Sequence, residues 1–286
     1  MALDLPVFFK RTSSAIVFAI IMLAGLLWNE WAFLALVCVI QVLCLREYFR
    51  LIKKIFPGTY WPPALAPLMQ VTGLSLMFLA YNLYMGGLEL FSPLMIVMLA
   101  VLLLLPALLL LSSILSGKNF LSALFQAVGG LLYIVTPAIM LFLMREKSLL
   151  LPLALILMIW TNDTMAYLVG SFIGKHPLSK TSPKKTWEGT IGGIILTIAG
   201  AAIWGYFTHY YKMMDWMALA LCASLAGTFG DLVESKLKRL AEVKDSGSLM
   251  PGHGGALDRF DSLLIATPFA FCYALLFMDA LYVVIF

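Results

Sequence analysis

Charge is scarce in this chain of 286 residues: 12% are Asp, Glu, Lys or Arg, while 62% are hydrophobic. A soluble domain carries about twice that charge and has less apolar surface to hide, so a water-soluble fold is excluded. Histidine and cysteine are also sparse, with three and four copies. Cys38, Cys44, Cys222 and Cys272 all fall in apolar runs and form no CxxC pair, which excludes a disulfide framework and a zinc site built on thiolates. His176, His209 and His253 are too far apart to form a zinc cluster. The apolar runs lack the period-2 alternation of barrel strands, and no internal repeat is visible.

What is present is a series of long apolar segments, each near the ~20 residues needed to cross a bilayer. Nine are predicted, near residues 12–28, 32–50, 63–82, 92–115, 121–143, 150–173, 188–211, 217–233 and 260–283. Together they predict an all-α polytopic bundle. Lys10 and Arg11 precede the first run, which continues almost directly into the second and reads as an uncleaved span. With the N-terminus in the cytoplasm, sixteen of the nineteen Lys and Arg residues fall inside, and only Arg145, Lys147 and Lys212 fall outside. That bias follows the positive-inside rule and agrees with an odd number of spans. The net charge of +4 then belongs to loops facing anionic lipid, and no nucleic-acid surface is implied.

The chain reads as one transmembrane domain, 1–286, with two unlike halves. Residues 1–150 read as scaffold spans. Tyr60-Trp61-Pro62-Pro63 has the character of an interfacial anchor, and Val128-Gly129-Gly130 permits close helix approach. Residues 151–286 read as the catalytic half, with two basic cytoplasmic loops at 174–187 and 234–257.

Polar residues enter the spans beside those loops. Asp163, next to Asn162, would cost about 2.5–3.5 kcal/mol if ionised at mid-membrane, so it should face protein or water. In the first loop, Ser182-Pro183 fits a helix start, with Thr186 as the alternative cap. A helix N-terminus beside Lys180, Lys184 and Lys185, with Glu188-Gly189 following, suits a phosphate. In GDLVESKLKR, Asp231, Ser235 and Lys238 share one helical face, flanked by Glu234 and Lys236. Asp258 and Asp261 share a face at the next helix start. Three carboxylates at adjoining helix ends call for a cation, and an all-oxygen donor set suits Mg²⁺; ion pairs with Lys238, Arg239, Lys244 or Arg259 are the alternative. Gly247, Gly252, Gly254 and Gly255 let backbone approach a ligand around His253. Carboxylate metal ligands, lysines and glycine turns at a membrane surface suggest phosphoryl or nucleotidyl transfer on a lipid.

The stretch Ser235–Asp261 resembles the signature of the phosphatidate cytidylyltransferase family, the CDP-diacylglycerol synthases. Ser235, Lys238, Arg239, Lys244, Asp245, Gly247, Pro251, His253, Gly254, Gly255, Asp258, Arg259 and Asp261 fall in register with it, while Met250 and Ala256 depart mildly. NDTMAYLVGSFIGKH and SPKKTWEGTIGG extend the resemblance over about residues 160–265. The resemblance implies that phosphatidate and CTP give CDP-diacylglycerol and pyrophosphate with Mg²⁺. The lipid phosphate would attack the α-phosphorus of CTP. It implies Asp231 and Asp258 as ligands of a two-metal centre, supported by Asp261 and Asp245, with a monovalent ion such as K⁺ as an option for the second cation. Lys238, Arg239, Lys244 and Arg259 would neutralise phosphates, and Ser182, Lys184, Lys185 and Thr186 would hold the triphosphate. Asp163, Glu188, Ser235, His253, Gly254 and Gly255 complete the expected substrate set. The resemblance allows a homodimer, and the expected location is a bacterial inner (plasma) membrane with the site facing the cytoplasm. A CTP-dependent lipid-alcohol kinase and an ion-coupled transporter using Asp163 are the rival readings. A transporter would place its polar groups at the midplane and show a repeat.

Overall fold

A computed structural model describes residues 5–84, 121–179, 181–249 and 254–278. Side chains are described from residue 13 onward. The described residues form helices and no strand: α1 (Leu5–Trp28), α2 (Glu30–Ile55), α3 (Leu65–Tyr84), α4 (Leu121–Lys147), α5 (Leu150–Ile173), α6 (Trp187–Thr208), α7 (Met213–Leu240) and α8 (Leu257–Phe277). Seven of them, α2 to α8, are long and apolar enough to cross a membrane; in α1 the apolar stretch is Ser13–Trp28. The expected span at 92–115 lies outside the described residues. Where both can be compared, the expected spans coincide with helices. The span expected at 217–233 is the middle of α7, which begins at Met213 and carries its polar end on to Leu240.

The chain divides into two compact units, one of residues 1–143 with 240–258 and one of residues 144–239 with 259–286.

In the first unit, α2 packs on α1, α3 and α4. Its start is fixed by Asn29, whose side chain accepts from Ala32 N at 2.7 Å, an N-cap for one of the free first-turn donors. Gly129-Gly130 in α4 lie against Tyr48, whose hydroxyl donates to Gln126 O at 3.1 Å. A Cβ at Gly130 would stand 2.7 Å from the Tyr48 ring, so glycine sets this helix separation, as the sequence suggests. Directly after it, Leu131–Val135 widen into a π-turn within α4. Trp61 packs on Phe49 and lies under Lys53 Nζ, 5.2 Å from the ring centroid, an aromatic anchor at the C-terminal end of α2.

In the second unit, α6 presents Gly189, Gly193, Thr197, Ala201 and Gly205 as its buried residues. Every fourth residue is small, so one stripe runs the length of the helix. Against it α5 sets Asn162, Ala166 and Gly170. A Cβ at Gly193 would lie 2.9 Å from both Ala166 Cβ and Asn162 O. Apolar side chains gain little by leaving lipid for each other, so close backbone packing of this kind is what holds such helices together. The start of α7 packs under the end of α6, where Gly205 meets the ring of Trp216. Further along, Gly230 of α7 sits directly on the Asp261–Ser262 backbone of α8: a Cβ there would collide with Asp261 O and stand 2.9 Å from Ser262 Cα. The same two helices are tied at their other ends by Tyr273, which donates to Asp215 Oδ1 at 3.1 Å.

Candidate active site

The close approach at Gly230 places the next residue, Asp231, beside Asp261. Glu234 lies one turn further along α7. Carboxylate oxygens of Asp231, Glu234 and Asp261 all lie within 4.8 Å of one another. Glu234 is fully buried and Asp261 is 7% exposed. Unit negative charges at that separation repel by roughly 3.5 kcal/mol per pair at an effective dielectric of about 20. Two lysines partly offset this. Lys185 Nζ pairs with Asp231 Oδ2, and Lys238 Nζ lies 2.5 Å from Glu234 Oε2. Ser235 adds a long contact to Asp231 Oδ1 at 3.4 Å. Asp261 Oδ1 accepts from Ser262 N at 2.6 Å.

Asp163 on α5 belongs to the same charge cluster. Asn162 precedes it in the chain, and Lys185, Asp231 and Arg259 act on it electrostatically. Asn162 Oδ1 is buried with no hydrogen-bond partner among the described residues, an acceptor available to a donor or a cation. Asp163, Asp231 and Asp261 thus share the field of Lys185, with Glu234 beside Asp231 and Asp261, and the donor set is all oxygen. That composition fits a hard divalent cation, and the Lys185 ammonium occupies a position at Asp231 that such a cation would contest.

The loop that delivers Lys185 is tightly built. Thr186, not Ser182, caps α6: Gly189 N donates to Thr186 Oγ1 at 3.1 Å, and the helix starts at Trp187. The expected helix start at Ser182-Pro183 is instead a turn, with Lys185 N donating to Ser182 O at 3.1 Å. A side chain in the first turn of a helix can reach back to donors before it. Glu188 does so here, accepting from Lys175 N at 3.1 Å and His176 N at 3.2 Å and meeting His176 Nδ1 at 2.5 Å. Leu178 N to Lys185 O and Trp187 N to His176 O close the loop on itself. Glu188 therefore holds the loop in shape. Lys184 projects from it exposed, and Lys180 lies outside the described residues.

The remaining predicted residues, Arg239 apart, lie in the first unit. Asp258, at the start of α8, accepts through Oδ2 from Ser246 N at 2.9 Å, Ser246 Oγ at 2.9 Å and Gly255 N at 2.7 Å. Gly254 takes φ of +83°, a left-handed conformation that glycine adopts without strain, and its Cα faces the Asp258 carboxylate. Lys244 and Asp245 are exposed. Asp245, Ser246, Gly247 and Ser248 line a cavity of about 210 Å³ with Arg50, Leu51 and Lys54 of α2. Arg239 closes the last turn of α7. His253 lies outside the described residues. Two carboxylates were passed over in the sequence. Glu234 was read as a flanking residue, although its spacing of three from Asp231 puts it on the same face. Glu47 of α2 carries no local signal at all, because its partners are Ser246, Ala256 and Leu257.

A model described as the cytidylyltransferase family matches residues 9–277. The chain belongs to that family. Among proteins similar to it, phosphatidate cytidylyltransferase of Staphylococcus aureus (strain COL) is 46% identical over 127 residues, 43% of this chain and 48% of that protein. Phosphatidate cytidylyltransferase of Bacillus subtilis (strain 168) is 45% identical over 121 residues, 42% of this chain and 45% of that protein. The chloroplastic phosphatidate cytidylyltransferase 4 of Arabidopsis thaliana is 44% identical over 113 residues, 39% of this chain and 29% of that protein. The chain spans about half the length of the curated bacterial relatives it matches.

Proposed function

We propose that the chain transfers the cytidylyl group of CTP to phosphatidate, giving CDP-diacylglycerol and pyrophosphate. The observation that carries this reading is the gathering of Asp231, Glu234 and Asp261 within 4.8 Å, with Lys185 from the α5–α6 loop on Asp231. In this reading Asp231 and Asp261 hold Mg²⁺, with Glu234 as a third carboxylate and Asp163 at the edge. The bound ion would neutralise phosphate oxygens and draw charge off the leaving pyrophosphate. The chain's own residues do the rest. Lys185, whose place at Asp231 a cation would contest, would meet the triphosphate, and Lys184 would meet the phosphates from the solvent side. Thr186 and Glu188 hold the loop rigid, so that these lysines arrive in a fixed geometry. Lys238, Arg239 and Arg259 balance charge on the substrates. Asp258, with Ser246 and Gly255, shapes the signature segment that carries Lys244, Asp245 and His253. K⁺ as a second cation and a homodimer belong to the same proposal.

The acyl chains stay in the bilayer. A cavity of about 190 Å³ between α5 and α6, lined by Leu153, Ala154, Leu157, Met158, Thr161 and Trp204 among others, offers hydrocarbon a seat on the helix that bears Asp163. Nine spans with the N-terminus in the cytoplasm would place the loops in a bacterial inner membrane facing cytoplasmic CTP, with the whole chain acting as one domain. The test is pyrophosphate release from CTP by the purified protein in detergent. Release should require both phosphatidate and Mg²⁺ and should vanish in Asp261→Asn. A long-chain alcohol that yields CDP in place of pyrophosphate would move the assignment to a lipid kinase.

A further inference from the structure

Glu47 sits in the half of the chain that reads as scaffold, yet it is 7% exposed and fully engaged by the signature segment. Its Oε1 accepts from Ala256 N at 3.0 Å, and its Oε2 accepts from Leu257 N at 2.9 Å and Ser246 Oγ at 2.7 Å. The two amides belong to the start of α8, where no helical carbonyl can reach them. A carboxylate is favoured at that end of a helix. Ser246 Oγ also lies 2.9 Å from Asp258 Oδ2, so its single proton is shared between the two carboxylates. A single side chain of α2 therefore grips both ends of the segment, at Ser246 and at Ala256–Leu257. Two glycines make room for it: a Cβ at Gly247 would fall on the Glu47 carboxylate, 2.7 Å from its Cδ, and one at Gly255 would come within 2.5 Å of Oε1.

We infer that Glu47 is a positioning residue for the transfer reaction: without touching substrate, it fixes the segment bearing Lys244, Asp245 and Asp258 in its working arrangement. The link to catalysis rests on the proposed reaction, whereas the anchoring does not.

The test uses the full chain purified in detergent. Glu47→Gln keeps the size but places an N–H among donors, and Glu47→Ala removes every acceptor. Losing even one charge-assisted hydrogen bond should raise hydrogen exchange across residues 246–257 by roughly tenfold or more in both variants, while α6 is unchanged. Turnover per folded molecule should fall by a similar factor, about tenfold in Glu47→Gln and more in Glu47→Ala, with KM for CTP little altered. Gly247→Ala should also slow turnover, and adding Glu47→Asp, which draws the carboxylate back by one methylene, should restore part of it. Unchanged exchange in both Glu47 variants would overturn the anchor. Raised exchange with wild-type kcat would reduce Glu47 to a staple and overturn its positioning role. An inactive wild type would overturn the proposed reaction, and the exchange result would then decide on the anchor.

Discussion

Gly230→Ala adds one methyl group where α7 crosses α8, and its consequences can be worked out from the structure. The new Cβ would meet Asp261 O and stand 2.9 Å from Ser262 Cα and 3.0 Å from Asp261 C. All three are backbone atoms, so no side-chain rotation relieves the contact. Carbon atoms rest at about 3.5–4.0 Å, so the helices must part locally by roughly 0.6–1.1 Å. Overpacking of this kind costs about 1–3 kcal/mol of stability. The larger effect falls on the carboxylates. Asp231 is adjacent to the new methyl and Asp261 supplies the colliding carbonyl, so the separation acts directly on the carboxylates proposed to hold the metal. Misplacement of about 1 Å at a reacting centre can cost on the order of a hundredfold in rate. The expected result is a folded protein with a slightly lower melting temperature and about a hundredfold lower kcat, measured as CDP-lipid formation in detergent micelles. Wild-type kcat together with a wild-type melting temperature would refute the claim that the Gly230 crossing sets the site.

Other outcomes follow from the same geometry. Lys185→Ala should lower turnover by about a hundredfold or more, as loss of a preorganised charge does, yet strengthen binding of Mn²⁺ read by electron paramagnetic resonance, because the competing ammonium is gone from Asp231. EDTA should abolish activity and Mg²⁺ should restore it. Mg²⁺ at about a hundred times its Kd should stabilise the fold against heat by about 2.7 kcal/mol, and this gain should be absent in Asp261→Asn. Thr186→Ala removes the N-cap of α6 and should cost about 1 kcal/mol, seen as a lower melting temperature and faster proteolysis within residues 174–187.

The helices were legible because hydropathy alone marks them: the span expected at 150–173 is α5 to the residue. Asp231 and Asp261 were legible too, standing out locally by charge in apolar surroundings, although Asp231 lies inside α7 and not at its end, because the helix runs on to Leu240. What binds the site together was less so. Sequence places Asp258 and Asp261 on one face of α8, but only the Gly230 crossing shows that Asp261 meets Asp231 and Glu234. Ser182-Pro183 looks like a helix start, and the helix instead begins after Thr186, because Glu188 reaches back to Lys175 and His176 and fixes the cap there. Glu47 has partners some two hundred residues away, and its local neighbours Arg46 and Arg50 suggest only ordinary helix-surface charges. Long-range capping of this kind leaves no periodic trace in a sequence.

The fate of phosphorus in CTP tests the central claim most directly. CTP labelled at the α-phosphorus, incubated with phosphatidate, Mg²⁺ and the purified chain, should place its label in the lipid product, while label at the γ-phosphorus should leave in pyrophosphate. Transfer of the γ-label to lipid, or no labelled lipid from folded protein, would contradict it.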